Sequence, residues 1–168
     1  MLECDIERQL LQQAEKIIAV LVEKLKSLSV TLVLAESCTC GLVSSMLANV
    51  PGVSNVLWGS FVCYTKEAKI KMLGLDETEI GNNGLVSSYT AEKMADLALE
   101  KSGAQISAAV TGLAGPAGDG SDVPVGTVWI AVVKNGASSV SDFHFLGSRN
   151  EIRIQAAIAV LNKVLDII

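Results

Sequence analysis

The chain has 168 residues, half of them apolar, and a formal net charge of −5. This length allows one compact domain with a sizeable core, so we predict a single domain over residues 1–168. The acidic balance argues against a general nucleic-acid or membrane-surface binder, because both need a basic face, whereas a small anionic ligand needs only a local positive site.

Targeting and redox signals are weak. The N-terminus carries acidic residues early, and no apolar run reaches membrane-spanning length, so we expect a cytoplasmic protein. Cysteines then need not be paired. The C-x-C spacing and the single histidine match no common zinc signature, which favours structural or free thiols over metal ligands. The cysteines are Cys4, Cys38, Cys40 and Cys63.

Helical and strand patterns alternate along the chain. A 3.6-residue apolar period predicts a long amphipathic first helix, and short apolar runs bounded by turn residues predict strands. The predicted elements, in chain order, are a helix at 6–28, a strand at 31–35, a short helix from 42, a strand at 55–64, a helix at 65–73, a loop at 81–84, a helix from 87 or 88 to 101, strands at 106–110, 125–133 and 140–145, and a closing helix at 149–168.

This order predicts an α/β fold. Strands that alternate with helices pair in parallel, and the closing hairpin around 134–136 adds antiparallel strands. We therefore expect a three-layer α/β/α sandwich with a mixed, mostly parallel sheet of about five strands. Loops that follow parallel strands gather at one edge of such a sheet, where ligands bind.

The turn after the first strand is the most informative segment. Ser37 lies there, between an apolar strand and a helix, where the first helical N–H groups can stabilise an oxyanion or a phosphate. Alternatively, Ser37 or Thr39 caps the helix. His144 alternates with phenylalanines on the last strand, which predicts a solvated side chain and argues against a Ser-His-Asp triad.

Lysine and tyrosine remain as partners for the serine. Tyr64 ends the second strand, and Lys69 lies about one turn into the next helix, so both can point into one cleft. A partly desolvated lysine has a lowered pKa and can accept the serine proton. Equally, the lysines of this helix can form a solvated face.

The glycine-rich loop at 111–120 suits close backbone approach to a ligand or is an ordinary connection. Arg149 either binds a phosphate or is solvated.

Taken together, these segments resemble the C-terminal domain of the competence/damage-inducible CinA family, the nicotinamide mononucleotide deamidases. The resemblance runs in order along nearly the whole chain, and we expect a stand-alone form without the N-terminal domain of longer members. The matching pieces are Ala35-Glu36-Ser37-Cys38-Thr39, Gly59, Tyr64, Glu67-Ala68-Lys69, Leu73-Gly74, Gly84, Val86-Ser87, Thr111-Gly112-Leu113-Ala114-Gly115-Pro116 and Pro124-Val125-Gly126-Thr127-Val128-Trp129.

The resemblance implies hydrolysis of the carboxamide of nicotinamide mononucleotide to nicotinate mononucleotide and ammonia. Ser37 falls at the family's nucleophile, Lys69 at its general base, and Tyr64 at the group that orients the lysine or relays a proton. No metal or cofactor is needed, because a Ser-Lys pair generates the nucleophile. We expect the Thr39 or Gly112 amide to form the oxyanion hole. The residues expected to bind substrate are Glu36, Thr39, Thr111, Gly112, Gly115 and Arg149.

Two departures from the family pattern matter. Cys40 stands where the family has glycine, and it is strained if that position needs a positive φ. Lys66 replaces an asparagine, and a second cation there would depress the pKa of Lys69. Because of these two departures, a non-catalytic nucleotide-binding or regulatory module stays open as an alternative function. A pure oligomerisation or partner-binding domain is a third possible function. A mean hydropathy of +0.45 predicts a homo-oligomer.

Overall fold

The computed structural model describes residues 2–168, with side chains described from residue 5 onward. The strands are β1 (Leu32–Glu36), β2 (Leu57–Val62), β3 (Ile106–Gly112), β4 (Thr127–Lys134) and β5 (Ala137–His144). The helices are α1 (Leu2–Leu28), α2 (Leu42–Leu47), α3 (Lys66–Ala68, continued by a π-helical turn at Lys69–Leu73), α4 (Glu77–Asn83), α5 (Ser88–Ser102) and α6 (Arg149–Ile167). None of the described helices is long and apolar enough to cross a membrane.

The five strands form one sheet in the order β2-β1-β3-β4-β5. β1 pairs in parallel with β2 and β3, whereas β4 pairs antiparallel with both of its neighbours. This confirms the predicted α/β class and the mixed five-stranded sheet.

Two hydrophobic cores cover the two faces of the sheet. Every residue of β1 is buried. Its side chains alternate: Leu32 and Leu34 join the core under α1, α2 and α6, and Val33 and Ala35 join the core under α5. A strand buried on both faces is mostly apolar, which explains the continuous apolar run from Leu32 to Ala35. The three predicted layers are confirmed.

The predicted loop at 81–84 is wrong. Residues 81–83 belong to α4, a helix that the sequence prediction missed. Asp76 caps its N-terminus, because its carboxylate accepts hydrogen bonds from the amides of Thr78 and Glu79 at 2.8 and 3.0 Å. Ile80 anchors this one-sided helix in the second core.

The topology opens a crevice at the carboxyl ends of β1 and β3. The chain leaves β1 for β2 on one side and then crosses to β3 on the other, which is the arrangement at which α/β sheets bind ligands. Ser37 follows β1 directly, and its amide donates to the carbonyl of Val110 on β3 at 3.0 Å. The serine turn is therefore fixed at the mouth of this crevice.

Candidate active site

A buried serine–lysine pair lies at the end of β1. Lys69 Nζ is 2.8 Å from Ser37 Oγ, and the two residues are 2 % and 6 % exposed. The separation is that of a hydrogen bond along which a proton can pass. His144, by contrast, is exposed on β5, which confirms the prediction of a solvated side chain.

The local structure of α3 aims Lys69 at the serine. Thr65 caps the helix by accepting a hydrogen bond from the Ala68 amide at 3.0 Å, and the π-helical turn begins at Lys69 itself. Such turns often occur at functional sites. The ammonium nitrogen also lies 3.0 Å from the carbonyl oxygen of Cys63 and 3.5 Å from that of Tyr64. These contacts hold Lys69 Nζ in one place.

Burial lowers the pKa of Lys69 from 10.5 to about 8, because desolvation disfavours the charged ammonium. The prediction that Lys66 supplies this effect is wrong. Lys66 Nζ pairs with the Glu77 carboxylate at 3.1 Å, so its charge is directed to a different partner. Lys69 thus becomes a candidate base through its position in the fold.

A cavity of about 220 Å³ opens over the pair. Of the predicted site residues, Ser37, Tyr64, Lys69, Thr111, Gly112, Gly115 and Arg149 line it together. Cys38, Leu85, Val86, Leu113, Ala114, Ala117, Gly118 and Asp119 complete its wall. Residues from three separate loops therefore converge, as the sequence predicted.

Glu36 and Thr39, which were both predicted to bind substrate, do not line the cavity. Both are 0 % exposed. The Glu36 carboxylate accepts hydrogen bonds from the amides of Val43 and Ser44 at 3.1 and 3.0 Å and from the hydroxyls of Thr39, Ser44 and Ser60 at 2.8, 2.9 and 3.1 Å. It therefore occupies the positive N-terminal end of α2 itself. The first amides of α2 are consequently engaged, contrary to the prediction that they face an oxyanion.

Tyr64 and Arg149 form the rim of the cavity. The Tyr64 hydroxyl accepts a hydrogen bond from Arg149 at 2.7 Å, and Arg149 also donates to the carbonyl of Gly115. The Tyr64 hydroxyl therefore hydrogen-bonds to Arg149, and the Tyr64 main-chain carbonyl accepts a hydrogen bond from Lys69. The predicted role of Tyr64, to orient Lys69 or to relay a proton, stays a prediction.

The end of β3 brings backbone and hydroxyl groups to the cavity. The Thr111 hydroxyl donates to the Leu85 carbonyl at 2.8 Å, which ties two cavity walls together. The Leu113 amide donates to β4, so the alternation of an antiparallel ladder turns the Gly112 amide toward the serine turn. A Cβ at Gly112 would lie 2.7 Å from the carbonyl oxygen of Thr127, so only glycine fits.

Arg153 is a functional candidate that the sequence prediction missed. Its Nη2 donates to the Thr39 carbonyl at 2.8 Å and its Nε to the Cys38 carbonyl at 3.3 Å. The available signal was its spacing: residues four apart lie on one face of a helix, so Arg153 follows Arg149 on the same side of α6.

The described cysteines, Cys38, Cys40 and Cys63, are free thiols; the prediction for Cys4 lies outside the described side chains. Burial raises the pKa of Cys38 to about 12 and also raises that of Cys63. Among the described residues, no three or more His, Cys, Asp or Glu residues are grouped so that they could hold a metal ion. Cys40 has a φ of +52°, so the strain condition stated for this position is met. Its side chain is exposed and does not line the cavity.

The fold and the site define an α/β domain that carries a buried Ser-Lys pair in the crevice between parallel strands. Comparison with known proteins gives the family. The model of the CinA C-terminal domain matches residues 14–168, and the chain belongs to that family.

Relatives and solved structures agree with this assignment. The chain is 41% identical over 165 residues to a competence-damage inducible protein of Caldicellulosiruptor bescii, covering 96% of this chain and 39% of that one. It is 42% identical over 143 residues to a CinA-like protein of Dictyoglomus thermophilum, covering 85% and 35%. The chain thus spans under two fifths of the length of these relatives.

Crystal structures of CinA superfamily proteins share the fold. A protein of Escherichia coli superposes with a TM-score of 0.89 at 30% identity, covering 92% of this chain and 90% of that one. A competence/damage inducible protein of Agrobacterium tumefaciens gives 0.88 at 34% identity, covering 92% and 94%.

Proposed function

We propose that this protein is a metal-independent serine amidohydrolase that deamidates nicotinamide mononucleotide to nicotinate mononucleotide and ammonia, and so serves pyridine nucleotide salvage. The observation that carries the proposal is the buried contact of 2.8 Å between Lys69 Nζ and Ser37 Oγ. Membership of the CinA family and the Arg149 guanidinium at the cavity rim, a group suited to a phosphate, support it.

The surroundings of Lys69 suit a neutral amine that acts as a base. A neutral lysine has two N–H donors and one lone pair. The carbonyls of Cys63 and Tyr64 lie at 3.0 and 3.5 Å and can take the two donors, which leaves the lone pair for the proton of Ser37. With a pKa of about 8, part of the lysine is neutral at physiological pH.

The proposed reaction has two halves. In the first, Ser37 Oγ attacks the carboxamide carbon while its proton passes to Lys69. The C–N bond then breaks, the leaving nitrogen takes that proton, and ammonia departs from an ester on Ser37. In the second half, water attacks the ester, Lys69 accepts the water proton, and the carboxylate product leaves as the proton returns to Ser37. Amides of the serine turn and of Gly112 would bind the oxyanion in each half.

Ammonia release from nicotinamide mononucleotide in the presence of EDTA tests the proposal. We expect release by the wild type and by Ser45→Ala, an exposed serine on α2. Ser37→Ala and Lys69→Met should lower the rate by about 10³-fold or more, because each removes a member of the nucleophile pair.

The strained Cys40 favours one alternative, a nucleotide-binding module of the same fold without turnover. That function predicts a nucleotide-dependent rise in melting temperature through mass action, with no ammonia formed by wild type or by Cys40→Gly. Equal release by wild type and Ser37→Ala would contradict the serine mechanism.

A further inference from the structure

We infer that Arg153 is a positioning residue of the serine turn: it holds the carbonyls of Cys38 and Thr39 and so fixes the peptide groups that follow the nucleophile Ser37. The inference rests on the proposed amide hydrolysis at Ser37. Arg153 itself does not line the cavity and touches no reacting atom.

Few amides near Ser37 are free to serve an oxyanion. The carboxylate of Glu36 binds two amides at the start of α2. The Cys40 amide donates to the Ser37 carbonyl at 3.0 Å, and the Leu42 amide donates to the Thr39 carbonyl at 3.2 Å. The amides of Cys38, Thr39 and Gly41 are the remaining candidates on this turn.

The contacts of Arg153 set the direction of the Thr39 amide. In a trans peptide group the carbonyl and the N–H point in opposite directions. The carbonyl of Cys38 points at Arg153 Nε at 3.3 Å, so the N–H of the same peptide group, which belongs to Thr39, points away from Arg153. Arg153 thereby fixes the direction of the Thr39 amide relative to Ser37.

The second contact fixes the plane of the next peptide group. Arg153 Nη2 donates to the Thr39 carbonyl at 2.8 Å, and Nη1 is 3.5 Å from Asn150 Oδ1 on the same helix. One planar guanidinium therefore donates hydrogen bonds to two consecutive carbonyls and fixes their relative orientation. A flexible lysine side chain cannot make this pair of hydrogen bonds. Small errors in the placement of an oxyanion donor lower the rate strongly, since its value lies in preorganisation.

Arg153→Met, Arg153→Lys and the control Lys163→Met, a lysine further along α6, test the inference. We measure kcat and KM for nicotinamide mononucleotide, and separately the rate at which a fluorophosphonate labels Ser37. The values are normalised to the concentration of Ser37 that the fluorophosphonate can label. Arg153→Met should lower kcat and the labelling rate by about 100-fold with KM little changed, and Arg153→Lys by about tenfold. The pH midpoint of labelling should stay at the wild-type value, because the contacts of Lys69 are intact.

Other results would overturn the inference. Unchanged labelling in Arg153→Met, a rise in KM alone, or a loss explained by the unfolded fraction would each remove the positioning role; should Arg153→Met not fold, Arg153→Lys decides. A displaced pH midpoint would move the effect to Lys69. If wild-type Ser37 is labelled but no ammonia forms, the proposed substrate is wrong, and the labelling rates still decide the role of Arg153. No labelling of wild-type Ser37 overturns both.

Discussion

Replacing Lys69 by methionine should reveal the energetic cost of keeping this lysine buried. The pKa of Lys69 is about 8 in the folded protein, against an ordinary value of 10.5. Between these two values the unfolded chain binds more protons than the native state, so the stability of the wild type rises with pH in this window. At 1.36 kcal/mol per pKa unit, the contribution amounts to about 3 kcal/mol.

The assay is urea unfolding of wild type and Lys69→Met at several pH values from 7 to 10.5. Hydrogen bonds lost in the variant change the difference between the two proteins by a constant, whereas titration of Lys69 changes it with pH. We expect the free energy of unfolding of the wild type, relative to Lys69→Met, to increase by about 3 kcal/mol across this range.

Lys71→Met is the matched control. Its side chain is two residues away and 73 % exposed, so its removal should leave the pH dependence of the wild type unchanged. If the difference between wild type and Lys69→Met is flat from pH 7 to 10.5, Lys69 titrates as an ordinary lysine and the assignment as general base loses its electrostatic support.

Two further predictions concern the serine turn. Glu36→Gln should lower the free energy of unfolding by about 2–3 kcal/mol, because it weakens charged hydrogen bonds to the first amides of α2; urea unfolding beside the exposed control Glu100→Gln measures this, and equal stability of the two would refute it. Cys40→Gly should raise stability by about 1 kcal/mol, since glycine adopts a φ of +52° without steric cost. Thermal melting with a thiol reductant present measures the gain, and a lower melting temperature would show that the cysteine side chain stabilises the turn.

The fold was predictable because its signals are local and strong. The continuous apolar run of β1 and the 3.6-residue period of α1 each specify one element, and the glycine loop after β3 marks the sheet edge. Helix α4 was missed because it is short, contains Gly81 and buries only Ile80 among its residues. Short helices depend on capping and tertiary packing more than on periodicity.

The site was predictable only in part. Spacing alone left Lys69 open between a solvated helix face and a base, and the family resemblance favoured the base. The burial of Lys69 depends on the π-helical turn and on two main-chain carbonyls from the segment after β2. No residue pattern in the sequence predicts either feature. The role of Glu36 was misjudged for a similar reason. A glutamate beside a nucleophile is a reasonable substrate ligand by sequence, but its full burial against α2 emerges only from the packing.

The serine turn is held from both sides by opposite charges that act on different backbone groups. Glu36 binds amides at the start of α2, and Arg153 binds the carbonyls of Cys38 and Thr39. Rotation of the peptide planes after Cys38 and Thr39 would break the charge-assisted hydrogen bonds to Arg153, and a shift of α2 would break those to Glu36. Such a double constraint explains how the protein tolerates a residue with positive φ and a desolvated lysine at the same place. Both features destabilise the native state, and stored strain persists where the surroundings over-determine the geometry.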